Sequence, residues 1–499
     1  MVKFNNFNSI VILFSILSYI FVYSCLITSW FPLLNTDTIC FLPASVNFKF
    51  FDLFYNPLYH PDYELDAFFS YYPPLYPFIT SLFLFENSLN SVFLAVNVFN
   101  LISGFLTIYI SIVHITRNKH FNLIFSNVKL KFLFLYFFAL LISFTLFPLS
   151  YSRPESLIRL LIVLVFFLNY TVEFRPFFLH IHSLVGFVGL FASPVGGIYL
   201  NFIIVFLYLQ KGFSLKKVLL FLSLEFLWVI AFFLFYPVDP YIFFETIYYH
   251  SKVVFSNKSN SDFIRDLKLY HVFNYDYFLP VLAFISFFVV ILRRFWNSGL
   301  KSYIFLFLFI VIYFGAKSLM LQYNVYVLMP LFIFYLSVEA LNTNSLKNKF
   351  LFLSMLLLLS FSSLRNLSLF VLNYKINDSD RTRIVELISS MDDGESVLFT
   401  SSLWPFFRNF KNAKCLDLST GINNQLIEQK PEFIFVQKTF SPSLSGGVLK
   451  GYELILDMET SETKLGMLKI SNTYGGYQCR IYKKSKSHEK IYQKFICLP

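Results

Sequence analysis

FPLLNTDTICFLPASVNFKFFDLFYNPLYHPDYELDAFFSYYPPLYP, Phe31 to Pro77, is the stretch that decides how the chain is read. It follows the first apolar segment and is the longest polar interruption of the N-terminal half. Asp37, Asp52, Asp62, Glu64 and Asp66 lie in it among many aromatics, and the segments around it are almost free of charge. A carboxylate-bearing loop between apolar runs points to a chain that crosses a membrane repeatedly, with its chemistry at the mouth of a helical bundle.

Composition agrees. The chain has 499 residues, 57% hydrophobic and 14% charged, against roughly 25% charged in an average soluble protein. The net charge of +11 comes from Lys and Arg in short loops and in the tail. Membrane topology explains it without nucleic acid.

An apolar run of about 20 residues spans a bilayer as a helix. The first is Ile10–Trp30, read as a retained helix rather than a cleaved signal. Others are expected at Ser91–Ile115, Phe132–Leu149, Ser156–Tyr170, Phe177–Phe191, Val195–Leu209, Val218–Tyr236, Phe278–Leu292, Tyr303–Phe314, Val325–Leu341 and Phe350–Leu372. That gives about eleven transmembrane helices over residues 1–372, with a first outer loop over 31–90. The pair flanking Ser193-Pro194 can also be read as one long broken helix. One alternating set of loops holds Lys3, Arg117, Lys119, Lys129, Lys131, Arg175, Lys211, Lys216, Lys217, Arg293, Arg294, Lys301, Lys347 and Lys349. Positive residues favour the cytoplasmic side, so this set is inside. The 31–77 loop, the Ser150–Glu155 turn, the 237–277 loop and the tail are then extracytoplasmic.

Composition changes near Asn373. Arg381–Met391 has helical periodicity and Asp392-Asp393-Gly394 signals a turn. Ser396–Thr400, Phe433–Gln437, Tyr452–Asp457, Gly466–Ile470 and Gln478–Lys483 read as strands. Residues 373–499 are therefore expected to form a small extracytoplasmic α/β domain. No GxGxxG or phosphate loop is present, so no nucleotide cofactor is expected. The five cysteines have no metal spacing. Cys415 and Cys479 are read either as a disulfide or as two unpaired thiols.

Ionisable groups in a bundle are functional candidates. Asp37 lies just beyond the first span, and Arg153-Pro154-Glu155 occupies the turn between the third and fourth. Both are expected at one face, and packed helices lie ~8–10 Å apart. A carboxylate there can take a proton from an attacking hydroxyl or amine, hold a divalent cation, or hold a neighbouring arginine in place. Arg153 suits a phosphate through its planar fork. Asp62, with Glu64 and Asp66, is a further candidate for substrate or metal. The 237–277 loop offers Lys252, Lys258, Arg265, Lys268 and His271; its positive residues break the charge rule and are read either as ordinary solvated loop charge or as contacts to a lipid phosphate. His180 and His182 are read as packing residues. No Ser/His/Asp array and no internal repeat is visible.

The pattern resembles the polytopic GT-C glycosyltransferases, which include the protein O-mannosyltransferases, the lipid A aminoarabinose transferase and the rhizobial galacturonosyltransferases. The likeness lies in the acid after the first helix (Asp37 in NTDTICFLPA), the run Pro73–Pro77, the Arg-Pro-Glu turn at Ser152–Glu155, and Gln322-Tyr323-Asn324-Val325-Tyr326-Val327-Leu328-Met329-Pro330, which looks like the family's late RYLLPLLP-type helix. It covers most of residues 1–340. It implies inverting transfer of one sugar from a polyprenyl-phosphate carrier to a glycolipid, cell-envelope glycan or protein acceptor at the outer face. Asp37 would be the base or metal-organising residue. A divalent cation is admitted as cofactor. The chain departs from the pattern at Ala192-Ser193-Pro194-Val195, where many members carry a lysine, at Gln322, where many have arginine, and at Thr38, where a second acid is missing. The rivals are a lipid or glycan transporter and an oligosaccharide ligase.

Overall fold

The computed structural model describes residues 6–28, 41–52, 74–117, 121, 127–145, 154–171, 176–210, 215–235, 240, 241, 243, 244, 379–392, 394–400, 403–415, 430–437, 449, 451–458, 463–465, 468–470 and 479–485. The four spans expected between Phe278 and Leu372 lie outside these residues.

The apolar runs of the N-terminal half form long helices: α1 (Asn6–Thr28), α4 (Leu89–Arg117), α5 (Val128–Thr145), α6 (Glu155–Thr171), α7 (Pro176–Ala192), α8 (Pro194–Gln210) and α9 (Leu215–Phe235). Each falls within a few residues of its expected span. Two of them, α4 and α9, are long and apolar enough to cross a membrane. Proline opens α7 and α8, where its missing N–H would be unpaired in any case. Ser193 caps α8 by accepting the Gly196 N–H at Oγ, 3.2 Å away. So α7 and α8 are two helices turned on one residue, not one long broken helix.

Side-chain pairs fix the directions. Phe14 meets Phe132, and the Ser18 and Tyr136 hydroxyls are 2.7 Å apart, so α1 and α5 run in parallel. Ser103 meets Ser156, and Arg117 stacks 4.9 Å over the Phe167 ring, so α4 and α6 also run in parallel. His182 pairs with Tyr208, and Gly197 lies against Leu190, which makes α7 and α8 antiparallel. Ile158 lies beside Gly189 and Gly196. One end of the bundle, the loop end, therefore holds the starts of α4, α6 and α8 with the end of α7. The far end holds the end of α4 and the starts of α7 and α9.

Polar as it is, the 31–77 stretch contains helix. Residues α2 (Leu42–Phe51) and α3 (Leu75–Ser81) form a short hairpin. Pro43 opens α2, and Asp52 closes it in the left-handed region at φ 56°. The Ser45 and Thr80 hydroxyls join the two helices at 2.6 Å. Tyr76 is buried edge-on between Phe41 and Phe99, at 5.3 and 5.5 Å. Ser103, the partner of Ser156, lies about 20 Å along α4 from Leu89. The first turns of α4 thus project past the starts of α6 and α8 and carry the hairpin.

The C-terminal residues build a five-stranded sheet in the order β2-β1-β3-β7-β4: β1 (Val397–Phe399), β2 (Ala413–Cys415), β3 (Phe433–Gln437), β4 (Tyr452–Asp457) and β7 (Cys479–Lys484). A two-stranded ribbon, β5 (Thr463–Leu465) with β6 (Leu468–Ile470), stands apart from it. The β1 strand is parallel to β2 and β3, and β7 is antiparallel to β3 and β4. The β1 residues and Phe433–Val436 are buried throughout, as strands covered on both faces must be. Val397, Phe399, Phe433, Phe435 and Ile481 share one face with helix α10 (379–389), with α11 (Trp404–Phe407), and with Leu42, Val46, Leu84, Val92 and Phe93 of the hairpin and α4. Leu398, Ile434, Val436 and Tyr482 face the other way. Phe407 sits 5.0 Å from Phe399 and 4.7 Å from Phe435. Truncating such a side chain costs about 3–5 kcal/mol, so α11 is held firmly against the inner face of the sheet.

The disulfide is excluded. Cys415 lies on β2 and Cys479 on β7, with β1 and β3 between them, roughly 14 Å apart at ~4.8 Å per strand. A disulfide needs Cα atoms within about 7 Å. Neither cysteine forms a disulfide.

Candidate functional site

Of the expected site residues, Asp37, Asp62, Arg153, Arg265 and Lys268 lie outside the described residues, as do Glu64, Asp66 and His271. Glu155 is placed as the first residue of α6, preceded by buried Pro154, whose carbonyl accepts the Ile158 N–H at 3.0 Å. It stands at the loop end, on the level of the α7–α8 turn.

One turn deeper is Arg159, 4% exposed. Charge in this apolar helix is its signal, one that the neighbouring Arg153-Pro154-Glu155 turn overshadows. Around it the bundle is polar. Tyr19 of α1 is buried, lies within electrostatic reach of Arg159, and donates to the Asn100 carbonyl at 3.4 Å. Ser103 of α4 donates to the Ser156 carbonyl at 2.7 Å. Thr107 donates to the Ser103 carbonyl, also at 2.7 Å. Three helices thus place a guanidinium, a phenol and two hydroxyls about one turn inside the loop end. A buried guanidinium offers donors in a fixed planar fork that matches phosphate or carboxylate oxygens, and the low-dielectric surroundings strengthen that pairing.

A second polar cluster joins α7, α8 and α9. Asn201 donates to the Glu225 carboxyl at 2.7 Å. His182 Nδ1 and the Tyr208 hydroxyl are 2.8 Å apart. Trp228 donates to Ser183 at 3.3 Å. Glu225 and His182 are buried. The arrangement is interhelical bonding of the kind that holds helices together where no water competes, and it places His182 in packing as the sequence suggests. Glu225 went unmarked in the sequence although it is the only acid in the α9 run.

Among the described residues, no group of three or more His, Cys, Asp or Glu side chains gathers. Asp37 and Asp62, with Glu64 and Asp66, which the sequence offers for substrate or a cation, lie outside those residues.

No protein-family model matches the chain, and no curated protein matches it. Among solved structures it is similar to the crystal structure of ArnT from Cupriavidus metallidurans bound to undecaprenyl phosphate, with a TM-score of 0.44 and 10% identity over 94% of this chain and 98% of that one. A likeness of that degree fixes neither a reaction nor a ligand for this chain.

Proposed function

We propose that the chain is a multi-pass membrane glycosyltransferase that moves one sugar, with inversion, from a polyprenyl-phosphate-linked donor to an acceptor on the extracytoplasmic face. The observation that carries this reading is Arg159, a buried guanidinium one turn below Glu155 at the end of the bundle where the hairpin and sheet collect. A guanidinium at such a depth suits a phosphate that stays attached to a lipid. The opposite end carries Arg117, Lys129, Lys131, Lys216 and Lys217, which supports a cytoplasmic placement for it.

In this reading the acceptor hydroxyl or amine attacks the anomeric carbon as the bond from that carbon to the phosphate oxygen breaks. Asp37 takes the acceptor proton. The polyprenyl phosphate leaves with the bonding electrons, and Arg153 and Arg159 stabilise its charge. Glu155 positions Arg153 or a cation. Asp62, Arg265 and Lys268 are further substrate contacts, and a divalent cation would be held by Asp37 and Asp62.

The test is a transfer assay in isolated membranes with a panel of polyprenyl-phospho-sugars. It compares the native chain with Asp37→Asn and Arg159→Lys at matched expression. Carrier release by the native chain, abolished in Asp37→Asn and reduced in Arg159→Lys, is the expected result. Near-normal release from Asp37→Asn would remove Asp37 from the base role. No release from any donor would move the reading to an oligosaccharide ligase or transporter, and flux across the membrane would then be measured.

A further inference from the structure

The hairpin and the sheet are far apart in sequence yet share one core. Leu42 and Val46 of α2, Leu84, and Val92 and Phe93 of α4 pack with Trp404, Phe407, Phe399, Phe435 and Ile481. At the rim, Arg408 closes the seam. Its Nη2 donates to the Asn87 carbonyl at 2.7 Å and its Nε to Asn87 Oδ1 at 3.1 Å, while Nη1 ties back to the Pro405 carbonyl at 2.7 Å. One guanidinium therefore bonds the segment before α4 and the turn after α11 together. Among the described residues, the hairpin's other supports are α4 and α7, on which α3 packs, while α2 rests on α3. Two helices of 10 and 7 residues are too short to hold themselves in water.

We infer that the C-terminal sheet is the seat that orders the α2–α3 hairpin over the loop end of the bundle, and that Arg408 is the positioning residue of this joint. Through α4, one continuous helix, the seat also fixes Asn100 and Ser103, which touch Tyr19 and Ser156. The inference stands whatever reaction the chain performs, because it concerns which parts hold which.

The test is hydrogen exchange on the full chain in detergent micelles, read peptide by peptide. Two variants probe the seam from its two sides. Arg408→Ala removes the fork. Val92→Asp puts a charge into the dry seam, yet an acid in the first turn of α4 favours the helix itself. The expected result is exchange about tenfold faster or more over 42–52 and 75–93 in both variants, with β1 and β3 unchanged. If Arg408→Ala loosens the strands as well, Val92→Asp decides. Faster exchange in the hairpin with intact strands supports the seat. Unchanged hairpin exchange in Val92→Asp, or a rise confined to the strands, overturns it.

Discussion

Gly197 on α8 lies against the main chain of Leu190 on α7, so closely that a Cβ would collide with the Leu190 nitrogen and Cα. Main chain cannot swing aside. Gly197→Ala gains ~1 kcal/mol of helix propensity but meets main chain, which puts the overpacking cost at the upper end of about 1–3 kcal/mol, for a net destabilisation of about 1–2 kcal/mol. Gly104 is the useful contrast. A Cβ there would meet only the far end of the Tyr19 side chain, which can rotate away. The Tyr19 hydroxyl donates to the Asn100 carbonyl over a long 3.4 Å. Gly104→Ala is therefore expected to leave stability near the native value while displacing Tyr19 from Arg159, so activity falls and the melting temperature does not. Thermal unfolding of purified protein, paired with the transfer assay, separates the two.

The long helices were legible because an apolar run of this length has one solution in a membrane, and the strands Phe433–Gln437 and Tyr452–Asp457 fall on their expected residues. The hairpin was not legible. Its helices are short, aromatic-rich and set among prolines, so they carry no clear helical period, and what they pack on, α4, α7 and the distant sheet core, is supplied by the tertiary fold. Strands β2 and β5, three residues each, are too short for alternation to show and exist through their pairing. Arg159 and Glu225 were overlooked for a different reason. Each is a single charge in an apolar run, which is itself the sign of a buried ionisable group, but the denser charge of the flanking loops masks that signal.

The two sheet thiols give a direct check on the strand order. Cys479 is buried on β7 and Cys415 half-buried on β2. Alkylation of the native chain should modify Cys415 slowly and leave Cys479 untouched until the protein is unfolded. Reduction should not lower the melting temperature. Peptide mass mapping reads both. A native peptide pair linked through Cys415 and Cys479 would mean that the strand order is wrong.

Alkaline pH should weaken the sheet. Burial pushes the Tyr452 phenol up to about 12 and raises Tyr482 as well. An unfolded tyrosine loses its proton near pH 10. Between about pH 10 and 12 the unfolded chain therefore binds fewer protons than the native one, and stability falls as pH rises. Below pH 10 both states keep the proton and the contribution is complete. Tyr452→Phe should flatten this alkaline fall, while losing the 2.9 Å bond to the Pro431 carbonyl, about 1 kcal/mol. Unfolding measured from pH 8 to 12 on both proteins tests the sign. An equally steep fall in the variant would clear Tyr452 of responsibility.

Glu225 and Asn201 separate structural glue from function. If the carboxyl serves only to accept the Asn201 amide, Glu225→Gln keeps an acceptor oxygen in place and is nearly neutral. Glu225→Leu strands the amide in an apolar bundle, at ~1–3 kcal/mol. Removing the amide too, in Glu225→Leu with Asn201→Leu, should recover part of that loss. The coupling between the two sites is then about 1 kcal/mol, as for interhelical bonds between membrane helices. Unfolding in detergent of the two singles and the double gives this number. A different pattern carries a different meaning: if Glu225→Gln left stability intact and abolished activity, the carboxyl itself would be needed by the reaction. The α7–α9 cluster would then be a second working part of the protein, set apart from Arg159 and the loop end.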